Sequence, residues 1–143
     1  MKVMVLVLAT EDSEAGKMPT EELLTQMMKF NEELVAAGVM QAGDGLQPTS
    51  KGARVHFDGK DRRVERGPFK LDDSLLAGYW LWEVKSLDEA IAWVKRCPNP
   101  MFGPSKIEIR PLYEMEDFGE IATPAVLEQQ AKLRSEIEKR AKK

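Results

Sequence analysis

A strand–helix–strand order that occurs twice is the feature that most limits how this 143-residue chain can fold. The first occurrence begins with Lys2 to Ala9, which is apolar and rich in valine, as in a strand covered on both sides. Polar residues then predict a loop. Thr20 provides an N-cap for a helix, and Gly38 provides the residue that ends it. Val39 to Ala42 follows as a short strand.

The second occurrence begins with Gly78 to Val84, a strand-like segment with three aromatic residues. Ser86 and Glu89 match a capping box at the start of the next helix, and Pro98 ends that helix. Ser105 to Leu112 predicts the closing strand. The predicted buried stripe of this helix is Leu87, Ala90, Ile91 and Val94. Two βαβ-like halves predict an α+β, ferredoxin-like sheet with both helices on one face.

A β-hairpin is inserted between the two halves. Residues 53–57 alternate apolar and polar, Asp58-Gly59 is a turn signal, and Arg62 to Arg66 returns. After Leu112, an acidic connector leads to a helix capped by Thr123 and started by Pro124. We therefore predict one α+β domain at residues 1–113, followed at 114–143 by a connector and a C-terminal helical arm.

The first strand is apolar on both of its sides. One side carries three valines, and the other carries Met4, Leu6 and Leu8. With both helices on one face of the sheet, the second face would leave roughly several hundred Å² of apolar surface bare, which is unusual for a soluble monomer. We therefore predict a homodimer in which two copies stack sheet to sheet about a twofold axis.

Composition excludes several classes of function. The net charge of −3 argues against binding to nucleic acid or to an anionic membrane surface. The first apolar run is too short to span a bilayer, and a single cysteine fits a reducing compartment, so we expect a cytoplasmic protein. One histidine and one cysteine are too few for a zinc site. We predict no metal and no cofactor.

Several segments between Met27 and Leu112 resemble the YCII-related family, in particular its DGPF group. The matching segments occur in the family's order and are EELVAAGV, AGDGLQP, GPF, AGYWLWEV, SLDEAIAWVKRCP and IEIRPLYE. The resemblance implies a dimeric α/β barrel built from ferredoxin-like halves. It does not imply one particular activity, because the activity of the family is largely unassigned.

The chain departs from the family at the residues credited with chemistry. The resemblance implies a His and an Asp in a cleft, but the helical position for the His falls near Met27, where the residues are Gln26, Met27, Met28 and Lys29. Arg66 precedes Gly67-Pro68-Phe69, where the DGPF group has an Asp. An acid/base pair therefore does not transfer to this chain.

Charged residues on two strands define the candidate ligand site. If Ile107 and Ile109 pack under the helices, then Glu108, Arg110 and Glu83 face the other side of the sheet. Charges that a dimer buries must be paired, so Arg110 belongs either to a structural ion-pair network or to a ligand-binding set. Tyr79 and Phe69 are candidate apolar walls of this site. Asp44, in the Gly43-Asp44-Gly45 turn, is expected at the end of a central strand, where clefts often open.

Three functions remain open. The first is a dimer that binds a small polar or anionic ligand between its sheets. The second is a metal-independent enzyme of lyase, isomerase or oxygenase type, with Asp44 or Glu83 as base. The third is a regulatory interaction module that uses the C-terminal helix. His56 is expected to be a solvent-facing strand residue, and Cys97, at a helix C-terminus, is expected to be structural.

Overall fold

The structure, a computed structural model, describes residues 1–142 and contains two compact units, Met1–Pro111 and a second that begins at Leu112. Besides a 3₁₀ turn at Thr49–Lys51, the first unit has six strands and three α-helices. In chain order they are β1 (Lys2–Leu8), α1 (Glu11–Glu14), α2 (Glu21–Ala36), β2 (Met40–Gly45), β3 (Ala53–Asp58), β4 (Asp61–Arg66), β5 (Leu76–Glu83), α3 (Leu87–Arg96) and β6 (Ile107–Pro111).

Four of the strands form one sheet in the order β2-β5-β1-β6, and each strand is antiparallel to its neighbours. Because β1 and β2 both pair with β5, they run parallel to each other and are joined by α2. This is the strand order of a ferredoxin-like fold, and the predicted α+β class is confirmed. β3 and β4 form the predicted hairpin as a separate two-stranded sheet.

The core lies between α2, α3 and one face of the four-stranded sheet. Phe30 of α2 contacts Trp80, Trp82 and Trp93 edge-on, with ring centroids 6.2–6.4 Å apart. Trp80 Nε1 donates a hydrogen bond to Asn31 Oδ1 at 2.9 Å. Trp82 is fully buried, and its Nε1 has no partner among the described residues.

The buried face of α3 differs from the prediction. Leu87 and Ile91 are 42% and 37% exposed, so the predicted stripe was wrong at these two positions. The residues that pack against the core are instead Ala90, Trp93, Val94 and Cys97. These four residues have the same spacing as the predicted stripe but lie on a different side of α3. The large Trp93 ring packs against Phe30 and so determines which side faces the core.

Hydroxyl groups cap the helices where the sequence predicts them. Thr20 Oγ1 accepts from the amide of Leu23, and Ser86 Oγ accepts from the amide of Glu89, both at 3.1 Å. The Glu89 carboxylate accepts from the amide of Lys85, not from that of Ser86, so the capping box is incomplete. Gly38 has a φ of +73°, as a helix-ending glycine requires.

The segment predicted as a polar loop before Thr20 contains α1, whose N-cap Thr10 accepts from the amide of Ser13. The second unit contains a 3₁₀ segment, Met115–Ile121, and the predicted C-terminal helix, α4 (Pro124–Ala141). Thr123 caps α4 by accepting from the amide of Val126 at 3.3 Å. Within residues 1–142, no helix has the length and apolarity needed to cross a membrane.

Candidate functional site

The face of the sheet opposite the helices, here called the open face, carries five of the six candidate ligand-binding residues. Ile107 and Ile109 pack against the core as expected, and Glu108 and Arg110 of the same strand are exposed. The register places them on the face that also carries Met4 and Leu6, with Arg110 opposite Met4 and Glu108 opposite Leu6.

Two rows of paired residues cross the open face. The first row runs from Leu81 through Met4 to Arg110. The second row is Asp44, Tyr79, Leu6 and Glu108. The centre of both rows is apolar and half-buried, namely Met4, Leu6, Tyr79 and Leu81. The open face is therefore an apolar strip with charges at both edges.

The candidate charges are spread along this strip and do not form one cluster. Asp44 and Glu108 lie on opposite edge strands, about 14 Å apart at the usual strand spacing. Glu83 is separated from Arg110 by the whole of β1, and its Oε1 lies 3.4 Å from the amino group of Met1. No salt bridge within residues 1–142 includes Arg110. The expected ion pair of Arg110 with Glu108 or Glu83 is thus absent within one copy.

Phe69, the sixth candidate, lies in a separate pocket of about 560 Å³. This pocket, here called the GPF pocket, lies between the turn that follows β2, the start of β3, the Gly67-Pro68-Phe69 loop and the start of β5. Its twelve lining residues are Leu46, Gln47, Pro48, Thr49, Lys51, Gly52, Ala53, Arg54, Phe69, Ser74, Leu75 and Leu76. The structure therefore brings Phe69 together with Arg54, whose guanidinium carbon is 4.0 Å from the centroid of the Phe69 ring, and not with Arg110.

A chain of hydrogen bonds holds the Phe69 loop in place. The amide of Phe69 donates to Thr49 Oγ1 at 3.1 Å, and Thr49 donates through its amide and its hydroxyl to the carboxylate of Glu14. Gly67 packs so closely on the turn that a Cβ atom there would lie 1.7 Å from the carbonyl oxygen of Thr49. Only glycine fits this approach, which explains one residue of the GPF motif.

The charged groups beside the GPF pocket form hydrogen bonds with Ser74. Arg54 Nη2 donates to Ser74 Oγ at 3.4 Å. The hydroxyl and amide of Ser74 both donate to Asp72, and these hydrogen bonds hold the pKa of the Asp72 carboxyl below its usual value. Asp72 is therefore an anion at neutral pH next to Arg54.

Neither His56 nor Cys97 lies in the GPF pocket or among the charges of the open face. His56 Nε2 lies 2.8 Å from Glu65 Oε1 on the hairpin, and both side chains are 41% exposed. Burial raises the pKa of the Cys97 thiol to about 11, so this thiol is protonated and unreactive at neutral pH. Among the described residues, no three His, Cys, Asp or Glu side chains are grouped so that they could hold a metal ion.

The sequence did not indicate the GPF pocket. Arg54 and Phe69 are fifteen positions apart, and Glu14 contacts Thr49 across 35 positions. No local spacing predicts such contacts. The one usable signal was the GPF motif, because a glycine next to a rigid proline and an aromatic residue indicates a fixed loop.

Comparisons with known proteins add a family. A family model, the YCII-related domain, matches residues 1–116. An uncharacterized protein of Rhizobium meliloti (strain 1021) is 27% identical over 97 residues, which are 68% of this chain and 78% of that protein. Among solved structures, 5-chloro-2-hydroxyhydroquinone dehydrochlorinase (TftG) from Burkholderia phenoliruptrix AC1100, in complex with 2,5-dihydroxybenzoquinone, is 18% identical. The match covers 81% of this chain and 98% of that chain, with a TM-score of 0.45.

Proposed function

The chain belongs to the YCII-related family, and from this premise we propose that it is a cytoplasmic homodimer that binds a small organic anion between two stacked sheets. The observation that carries the proposal is the open face, where a half-buried apolar strip ends at the exposed and unpaired Arg110. The binding function belongs to residues 1–113, and the remainder is an arm.

The apolar strip supports the dimer. Met4 pairs with Leu81 and Leu6 pairs with Tyr79 across β1 and β5, and all four remain half-buried in one copy. A second copy with the same strip would cover them by a symmetric contact. Interfaces of obligate dimers commonly bury more than about 2,000 Å² in total, which is a large share of such a sheet.

Arg110 is the reason to propose that the ligand is an anion. Once a second copy covers the open face, an unpaired guanidinium would be costly, so it needs an acidic partner from the other copy or from a ligand. Arginine stays protonated and holds a carboxylate or phosphate by two parallel hydrogen bonds, whereas it is poorly suited to proton transfer. We therefore assign Arg110 to binding and not to catalysis.

A ligand screen by thermal unfolding tests this proposal. A ligand present at 100 times its dissociation constant adds about 2.7 kcal/mol to the stability of the wild type. We expect at least one anionic hit to stabilise the wild type and not Arg110→Met. Lys106→Met is the matched control, because Lys106 is on the adjoining segment and already pairs with Asp73 at 2.8 Å.

The stability of Arg110→Met without ligand distinguishes a ligand-binding role of Arg110 from a structural role. A variant Arg110→Met that is as stable as the wild type, or more stable, fits a charge kept for a ligand. A large loss of stability would assign Arg110 to a structural ion pair between copies. If every anionic hit stabilises wild type and Arg110→Met equally, the proposed ligand site is contradicted.

A further inference from the structure

The GPF pocket lies apart from the open face and is formed by one copy alone. All of its lining residues lie between Leu46 and Leu76, and none of them is one of the charged candidates on the open face. Its volume of about 560 Å³ falls within the range of small-molecule sites, roughly 300–1,000 Å³. A pocket of this size has room for a ligand with a single ring and a short side chain.

The charge of the pocket lining has one sign. Lys51 and Arg54 are its only ionisable residues, and no carboxylate lines it. Most of the remaining surface is apolar, provided by Leu46, Pro48, Phe69, Leu75 and Leu76. A pocket with two cations and apolar walls is complementary to a molecule with an anionic head and an apolar body.

Arg54 is oriented before any ligand arrives. Its guanidinium stacks over the Phe69 ring at 4.0 Å and uses one N–H to reach Ser74. A guanidinium has five N–H donors in a fixed plane, so a pair of them can hold a carboxylate. Stacking on an aromatic ring fixes that plane and lowers the ordering cost of binding.

The loop that carries Phe69 is also held in place. The amide of Phe69 donates a hydrogen bond to Thr49, and the amide of Thr49 donates one to the carboxylate of Glu14 on α1. The close contact of Gly67 with Thr49 leaves no room for the loop to move inward. The aromatic wall and the cation above it therefore hold their relative positions.

We propose that the GPF pocket is a second binding site, specific for small aromatic carboxylates, with Arg54 and Lys51 holding the carboxylate and Phe69 and Leu75 contacting the ring. The site goes beyond the function proposed for the open face and does not depend on dimer formation. Its polar and apolar contacts together favour an aryl carboxylate over inorganic anions, which would leave the apolar walls exposed.

Asp72 does not line the pocket, but we expect its charge to lower the affinity of this site. Its ionised carboxylate, held by Ser74, attracts Arg54 and competes with a bound carboxylate. Replacing Asp72 by Asn keeps an oxygen that accepts from Ser74 and removes the charge. Because interactions between exposed charges are weak, Asp72→Asn should tighten binding by about twofold to fivefold.

The test is a titration of the full chain with phenylacetate, followed by NMR amide shifts. We expect shifts confined to the amides of residues 46–54 and 67–76. Phenylacetamide, which has the same shape and no charge, should bind about tenfold more weakly, and acetate should bind more weakly than phenylacetate because it lacks the ring. Equal binding of phenylacetate and phenylacetamide would overturn the proposal.

Variants complete the test. Arg54→Met should weaken phenylacetate binding by about tenfold or more, because charge-assisted hydrogen bonds are lost. Arg62→Met is the matched control, since Arg62 is on the same hairpin and stacks over Phe57 at 4.5 Å, away from the pocket. If Arg54→Met does not fold, Asp72→Asn remains informative, and unchanged or weaker binding would contradict the site.

Arg110→Met separates this site from the open face. We expect it to leave the phenylacetate shifts at residues 46–54 and 67–76 unchanged, whatever its effect on the proposed anion site between sheets. Loss of phenylacetate binding in Arg110→Met, with retention in Arg54→Met, would move the ligand to the open face and overturn the proposal.

Discussion

On the face covered by α2 and α3, β1 and β5 contribute Val3, Val5, Trp80 and Trp82, and all four side chains are buried. On the open face, the intervening residues of the same strands remain half-buried. The two faces are almost equally apolar in the sequence of β1. The covered face accounts for the stability of one copy, whereas the apolar residues of the open face have no such role within one copy.

The two faces also differ in which polar and charged groups they carry. On the covered side, Trp80 Nε1 has Asn31 as its partner, and no charged side chain is buried within residues 1–142. The open face ends in exposed charges, of which Arg110 has no partner in one copy. Among the described residues, the covered face leaves only Trp82 Nε1 buried without a partner, and the contrast fits our proposal that the open face takes a partner or a ligand.

The covered face can be tested with Leu34→Ala. Leu34 of α2 is fully buried, so the substitution should lower the free energy of unfolding by about 3 kcal/mol through lost contacts and a cavity. Urea denaturation measures this loss. Leu24→Ala on the same helix is the control, because Leu24 is 48% exposed, and its effect should stay below about 0.5 kcal/mol. Similar losses in both variants would contradict the assigned core.

The open face can be tested with Leu6→Glu. We expect the dissociation constant of the proposed dimer to rise about 100-fold or more, because the new carboxylate would be buried opposite Glu108 in the apolar strip. Dilution of the dimer in light-scattering chromatography measures the constant. Circular dichroism should show an intact fold, and Leu24→Glu, on the outer surface of α2, should leave the constant unchanged.

Glycines on β2 test how tightly the covered face is packed. A Cβ atom on Gly43 would lie 2.7 Å from Trp80 Cδ1, so Gly43→Ala must displace a buried ring and should cost about 2 kcal/mol. Gly45→Ala is the control on the same strand, since its nearest contact would be 4.0 Å away. Thermal unfolding of both variants tests whether Gly43→Ala is less stable than Gly45→Ala.

Ser86→Ala has the smallest expected effect. Ser86 Oγ accepts from the amide of Glu89 at the start of α3, and its loss should cost about 1 kcal/mol. Urea denaturation with an unchanged slope and a shifted midpoint would confirm the cap. An unchanged midpoint would show that this hydrogen bond contributes nothing to the stability of the fold.

Much of the fold was predictable from residues that act locally. Thr20, Ser86 and Thr123 mark helix starts, and Gly38 marks a helix end, because caps depend on a few adjacent residues. The face of α3 was not predictable in the same way. Leu87 and Ile91 have the required spacing, but the fit of Trp93 against Phe30 selects a different face.

The candidate site was predictable only where strand alternation applies. Alternation along β6 placed Glu108 and Arg110 on the face opposite Ile107 and Ile109. It could not reveal that β1 separates Arg110 from Glu83, because that distance depends on strand order. The position of Phe69 beside Arg54 depends on long-range loop packing, which no local pattern of residues records.

Sedimentation of the wild-type protein at micromolar concentration tests the central contrast between the two faces most directly. If the open face is covered by a second copy, the mass should be twice the 16.1 kDa of the chain, and it should fall to that of one chain in Leu6→Glu. A wild-type protein that sediments at 16.1 kDa throughout this range would contradict the account, because the apolar strip would then be stable in water without a partner.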